Sequence, residues 1–136
     1  MSSAGEEAMT AAQQAAWQAA LRAARAYDDY LVPNMFRPWA RALLDHAALR
    51  PGERVLDLAC GTGVVAREAA GRVGVHGQVS ALDLNPAMLE VARSHTAAPG
   101  APDIEWIEGS AQALPFADAS FDVALCQQGL DRKSVV

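Results

Sequence analysis

Residues 54–70 read RVLDLACGTGVVAREAA, and three features of that stretch could do chemistry. An acid, Asp57, lies inside an apolar run. The run ends on Ala59, Cys60 and Gly61, with Gly63 close behind, and apolar residues then resume at helical spacing. This order describes a strand, a tight turn and a helix whose first N–H groups are left open toward a ligand. Gly61 and Gly63 can take backbone angles that a side chain forbids and let the chain come close to a bound molecule. A second acid, Asp83, ends the next apolar run, QVSALDL. Its spacing from the glycines suits an acceptor for ribose hydroxyls.

Gly61-Thr62-Gly63-Val64-Val65-Ala66 also fits the loose G-x-G-x-x-G/A dinucleotide pattern, so a nicotinamide-dependent oxidoreductase is a competing reading. Asp57 weighs against it, because dinucleotide folds normally place an apolar residue at that point of the first strand. The remaining candidates for chemistry are fewer. Cys60 and Cys126 have no histidine or basic residue near them in sequence and read as small apolar fillers, free thiols suited to a reducing cytoplasm. His46, His76 and His95 show no ligand spacing with each other or with the cysteines, so no metal site is expected.

The elements that must position these residues follow from the pattern along the chain. Residues 7–31 form an alanine-rich helix with Trp17, Leu21 and Ala24 on one face, ending before Pro33; residues 35–49 form a second helix. The RPGE turn then leads into a first strand carrying Val55, Leu56 and Leu58, apolar on both faces as in a covered parallel sheet. A helix to about residue 72, a strand finishing at Asp83, and a helix capped by Asn85 with Pro86 in its first position come next. Ile104, Trp106 and Ile107 give a third strand and residues 121–126 a fourth. Strands alternating with helices at this spacing imply right-handed crossovers and an α/β fold: a Rossmann-like parallel sheet with flanking helices. The ligand site belongs past the carboxyl ends of the strands, where Asp57, Gly61, Asp83, Ser110 and Cys126 gather.

Four stretches in this order, VLDLACGTG, VSALDLNPAMLEVAR, IEWIEGSAQALPF and FDVALCQQGL, resemble the successive motifs of the class I S-adenosylmethionine-dependent methyltransferases, in their ubiquinone/menaquinone-biosynthesis-like branch. The resemblance covers residues 27–130. It implies S-adenosyl-L-methionine as cofactor and transfer of its methyl group to a small-molecule acceptor. By that resemblance Asp57, Ala59, Cys60, Gly61 and Gly63 border the methionine moiety, and Asp83 accepts both ribose hydroxyls. Leu84 and Met88 flank the adenine. Ser110 and Ala111 stand where the family usually has an acidic and a small residue, and the serine hydroxyl would recognise the adenine amino group more weakly than the acid. Gln127 faces the methionine end, and Tyr30 closes the pocket from the N-terminal helices. Tyr27, Tyr30, Phe36 and Trp39 are either such a lid or ordinary packing. No catalytic base is identifiable, because methyl transfer chiefly demands alignment of donor and acceptor.

Bulk properties narrow the partners. The 136 residues suffice for one core, 51% of them are hydrophobic, and no apolar run approaches the ~20 residues of a bilayer span. Eleven basic against sixteen acidic residues, a net charge of −5, offer no stripe for a nucleic-acid backbone. Residues 1–50 are expected to form a helical cap and residues 51–130 the cofactor-binding unit, incomplete relative to the family. The DRKSVV ending, residues 131–136, back-translates to a sequencing-adapter sequence and is expected to be a non-native tail on a truncated chain. A non-catalytic remnant that keeps the cofactor site is the remaining alternative.

Overall fold

The computed structural model describes residues 7–127; the expected tail at residues 131–136 lies outside them. Helix α1 (Ala11–Ala26) starts where Thr10 and Gln13 satisfy each other's backbone N–H groups, a capping box built from side chains three residues apart. It is followed without a break by a π-helix (Tyr27–Phe36) and by α2 (Arg37–Ala47), which ends on Ala48 in a left-handed conformation. Pro33 therefore does not separate two helices, as its type suggests. It lies inside the π-helix, whose wider winding continues the helical path through the residue that lacks an N–H.

Beyond α2 the expected alternation appears: β1 (Arg54–Leu58), α3 (Val64–Val73), β2 (Gln78–Asp83), α4 (Pro86–Ser94), β3 (Ile104–Glu108) and β4 (Val123–Leu125). The strands pair in the order β3-β2-β1-β4, every pair parallel. β4 is shorter than the sequence suggests, since only Val123, Ala124 and Leu125 meet partners on β1. Its register is pinned at the lower end by Asp122, which accepts from the Arg54 backbone N–H at 2.8 Å and pairs with the Arg54 guanidinium at 3.1 Å. The chain winds outward from β1 to β3 and then crosses back to place β4 on the other side. The crevice at that reversal opens between the ends of β1 and β4.

One core joins the sheet to the helices. Val32, Phe36, Ala40 and Leu44 from the π-helix and α2 pack with Val55, Val65, Ala69, Val79 and Leu125. A second, smaller cluster has Leu21 and Ala24 of α1 against Ala87 and Val91 of α4, with Trp17 at its margin as the spacing on α1 implies. The N-terminal helices thus cover α3 and α4 on the face that leads up to the glycine turn.

Candidate functional site

Past the end of β1 the backbone turns sharply. Ala59, Gly61 and Gly63 all take positive φ, at 53°, 56° and 88°. The two glycines adopt this without steric cost; Ala59, with its Cβ, carries a strain of about 1–2 kcal/mol. The turn is closed by hydrogen bonds on both sides. Cys60 N–H donates to the Leu82 carbonyl at 3.0 Å and Gly63 N–H to the Cys60 carbonyl at 2.9 Å. Gly61 N–H donates to Asp83 Oδ2 at 2.8 Å. Asp83 Oδ1 accepts from Asn85 N–H, also at 2.8 Å, so each carboxylate oxygen holds one backbone donor and keeps a further lone pair for a ligand. Asn85 in turn caps α4 through Ala87 N–H at 3.0 Å, as its position before Pro86 predicts.

Below the turn a cleft of about 200 Å³ is lined by Tyr27, Phe36, Asp57, Ala59, Cys60, Val64, Val65 and Gln127. Asp57 is 1% exposed, and its Oδ2 has no hydrogen-bond partner among the described residues. Burial pushes the Asp57 carboxyl up to about 8, against the lowering influence of the Ala66 backbone N–H, and the charge of Asp83 adds to the rise. An acid held in this way at the base of a cleft is a vacant acceptor for a cationic or N–H group of a ligand. Cys60 is the reverse case: burial first, then Asp57 and Asp83, drives its thiol pKa far up, which removes it as a nucleophile.

The structure divides the candidate residues into two groups. Asp57, Ala59, Cys60 and Gln127 line the enclosed cleft, where Gln127 also donates to the Phe36 carbonyl at 3.1 Å. Asp83, Leu84, Ser110 and Ala111 lie on an open rim, with Leu84 70% exposed. Gly109 N–H donates to the Asp83 carbonyl at 3.0 Å, which brings Ser110 beside that acid, and Ser110 Oγ accepts from Gln112 N–H at 3.1 Å. Met88 is half-buried against the cluster shared by α1 and α4.

Two positions differ from the sequence reading. Tyr30, expected to close the pocket, is 71% exposed and lines no part of the cleft. Tyr27 has that place: it stacks on Phe36 with centroids 5.2 Å apart, and its hydroxyl would stand 3.8 Å from a Cβ at Gly61. The winding of the π-helix turns Tyr27 and Phe36 inward together and Tyr30 out. Gly63 is not open to a ligand in the way Gly61 is. A Cβ there would meet the Trp106 ring at 2.3 Å, so its bare face is taken by the protein's own indole. Phe36, one of the aromatic lid candidates, also lines the cleft, as do Val64 and Val65, whose only sequence signal is that they follow the turn.

Comparison with known proteins identifies the family and the fold. A family described as "Methyltransferase domain" matches residues 55–134. The ubiquinone/menaquinone biosynthesis C-methyltransferase UbiE of Ectopseudomonas mendocina is 39% identical over 104 residues, covering 76% of this chain and 41% of that protein. A 2-phytyl-1,4-naphtoquinone methyltransferase of Nostoc is 37% identical over 113 residues, covering 80% of this chain and 49% of that one. The chain therefore spans less than half the length of these relatives. Among solved structures, an S-adenosylmethionine-dependent methyltransferase from Aquifex aeolicus has the same fold, with a TM-score of 0.64 at 23% identity over 78% of this chain and 55% of its own. None of these findings favours a nicotinamide-dependent oxidoreductase.

Proposed function

This chain belongs to the methyltransferase domain family, and we propose that it is the S-adenosylmethionine-binding part of a cytoplasmic methyltransferase whose acceptor is a small, quinone-like molecule. The acceptor class is inferred from the names of the curated relatives. In this reading residues 1–50 are a helical cap and residues 51–130 the cofactor-binding unit. The observation that carries it is the pairing of two acids across one glycine turn, Asp57 buried with a vacant oxygen and Asp83 on the rim with spare lone pairs.

When bound, S-adenosylmethionine supplies a methyl group on a positively charged sulfur, open to in-line attack by the acceptor. The protein's share is alignment and desolvation, worth up to about 7–11 kcal/mol for well-placed reactants. Asp57, Ala59, Cys60, Gly61 and Gln127 border the methionine end in this assignment, Gly63 shapes the turn behind them against Trp106, and Tyr27 with Phe36 covers that end from above. Asp57 answers the amino group there. Asp83 takes the ribose hydroxyls, Leu84 and Met88 flank the base, and Ser110 with Ala111 recognises its edge. No side chain is assigned as a catalytic base.

Titration calorimetry with S-adenosylhomocysteine tests the reading. Hydrogen bonds to a charged acceptor contribute about 1.5–3 kcal/mol each, so Asp83→Ala is expected to weaken binding roughly tenfold or more. A folded wild-type chain that gives no binding heat would overturn the assignment.

A further inference from the structure

We propose that Arg67 is a positioning residue that locks the glycine turn and the π-helix into one fixed relation, so that both walls of the cleft are set together; its bearing on the cofactor rests on the reading above. Arg67 lies one turn into α3, with its side chain only 20% exposed. Its Nη1 donates to the Thr62 carbonyl, in the middle of the glycine turn. Its Nη2 stands 3.9 Å from Oδ1 of Asp28. Asp28 is the second residue of the π-helix, directly after Tyr27, and its side chain is 10% exposed. The other carboxylate oxygen of Asp28 is 2.7 Å from Nε2 of His95, just past the end of α4. None of the three side chains lines the cleft.

The chemistry of the guanidinium explains the arrangement. A planar cation with donors spread over a rigid fork can hold a backbone carbonyl and a carboxylate some distance apart in one fixed geometry, which the compact ammonium of lysine fits less well. Thr62 belongs to the turn that forms one wall of the cleft. Asp28 fixes the start of the segment that presents Tyr27 and Phe36 as the other wall. His95 ties Asp28 to α4, whose opposite end is capped beside Asp83. The Trp106 ring packs on the bare face of Gly63 beside Arg67 Nη1. Oδ1 of Asp28 has no hydrogen-bond partner among the described residues, so the facing Arg67 cation is what compensates its burial. Losing either charge leaves the other poorly paired.

Hydrogen-exchange mass spectrometry on the full chain, without ligand, reads this coupling directly. Arg67→Gln is expected to speed exchange about tenfold in both residues 27–36 and residues 60–66 while leaving the interiors of β1 and β2 unchanged. Arg67→Lys, which keeps the charge but lacks the span and fixed fork of the guanidinium, should give the same pattern at smaller amplitude and serves where the glutamine variant fails to fold. Asp28→Asn should loosen the same two segments, and the double variant no more than either single one. Loosening of the turn alone, or a uniform acceleration through the sheet, would overturn the proposal. In parallel, affinity for S-adenosylhomocysteine should fall about tenfold in Arg67→Gln. Unchanged affinity beside coupled loosening would reject the link to the cleft; absence of binding by the wild type would reject the cofactor reading while the exchange pattern still decides the lock.

Discussion

The two ends of the candidate site are built on opposite principles. At the cleft end, Asp57 is withdrawn from water, surrounded by Tyr27, Phe36, Cys60 and the first valines of α3, and its charge state is set by burial. At the rim, Asp83 keeps partial contact with solvent and is held by two backbone N–H groups, one from the turn and one from the start of α4. The comparison teaches that a ligand spanning both ends meets strong, unscreened electrostatics at one and geometric discrimination at the other. Enclosure supplies strength; the rim supplies recognition of shape and hydroxyl placement.

The sharpest way to break this division is at the glycine that separates the ends. Gly63→Ala combines a left-handed backbone with a Cβ driven into the Trp106 ring, and should cost about 2–4 kcal/mol of stability in denaturant unfolding. Pairing it with Trp106→Leu should recover the overpacking part and leave the backbone part. Asp57 comes next. In the folded chain it keeps its proton up to about pH 8, whereas unfolded it releases it near pH 4. Folding therefore takes up a proton between those values. The stabilising contribution is complete below about pH 4 and is lost as pH rises to about 8, so the melting temperature should decline across that window relative to Asp57→Asn, whose curve lacks this slope. A cationic ligand group placed at Asp57 should reverse the protonation, visible near pH 7 as proton release when calorimetry is repeated in buffers of different ionisation enthalpy.

Effects at the rim should be smaller. Ser110→Asp keeps the acceptor for Gln112 N–H while adding a charged one, and should tighten S-adenosylhomocysteine binding severalfold, about 1 kcal/mol. Tightening by this substitution, set beside weakening at Leu84→Ala, would separate the hydrogen-bonding and apolar contributions of the rim. The smallest expected effect is Ala59→Gly. Relief of the left-handed strain, offset by the greater chain entropy of glycine, should stabilise the fold by about 0.5–1 kcal/mol in thermal unfolding.

Much of this architecture is visible in the sequence because its causes are local. The apolar runs, the glycine turn and the Asn85-Pro86 cap each act within a few residues, and β1, β2, β3, α3 and α4 fall where the pattern places them. What escaped is held together across long separations. Pro33 is a breaker by type, and only packing of Val32 and Phe36 into the common core carries a helix through it. Tyr27 and Tyr30 are indistinguishable by neighbourhood until the winding of the π-helix turns one in and the other out. Gly63 looks like a ligand-facing glycine until Trp106, 43 positions further on, is seen against it. The contact of Asp28 with His95 bridges 67 positions and leaves no periodic trace.

The bond from Gly61 N–H to Asp83 Oδ2 has one more implication. It makes the acid a tie-rod between two neighbouring strand ends as well as a docking point, so deleting the carboxylate confounds a lost contact with a slackened frame. Asparagine, whose single amide oxygen can still receive the Gly61 proton, keeps that tie while giving up the charge and the acceptor for Asn85 N–H; what alanine loses beyond asparagine includes the tie between the strand ends.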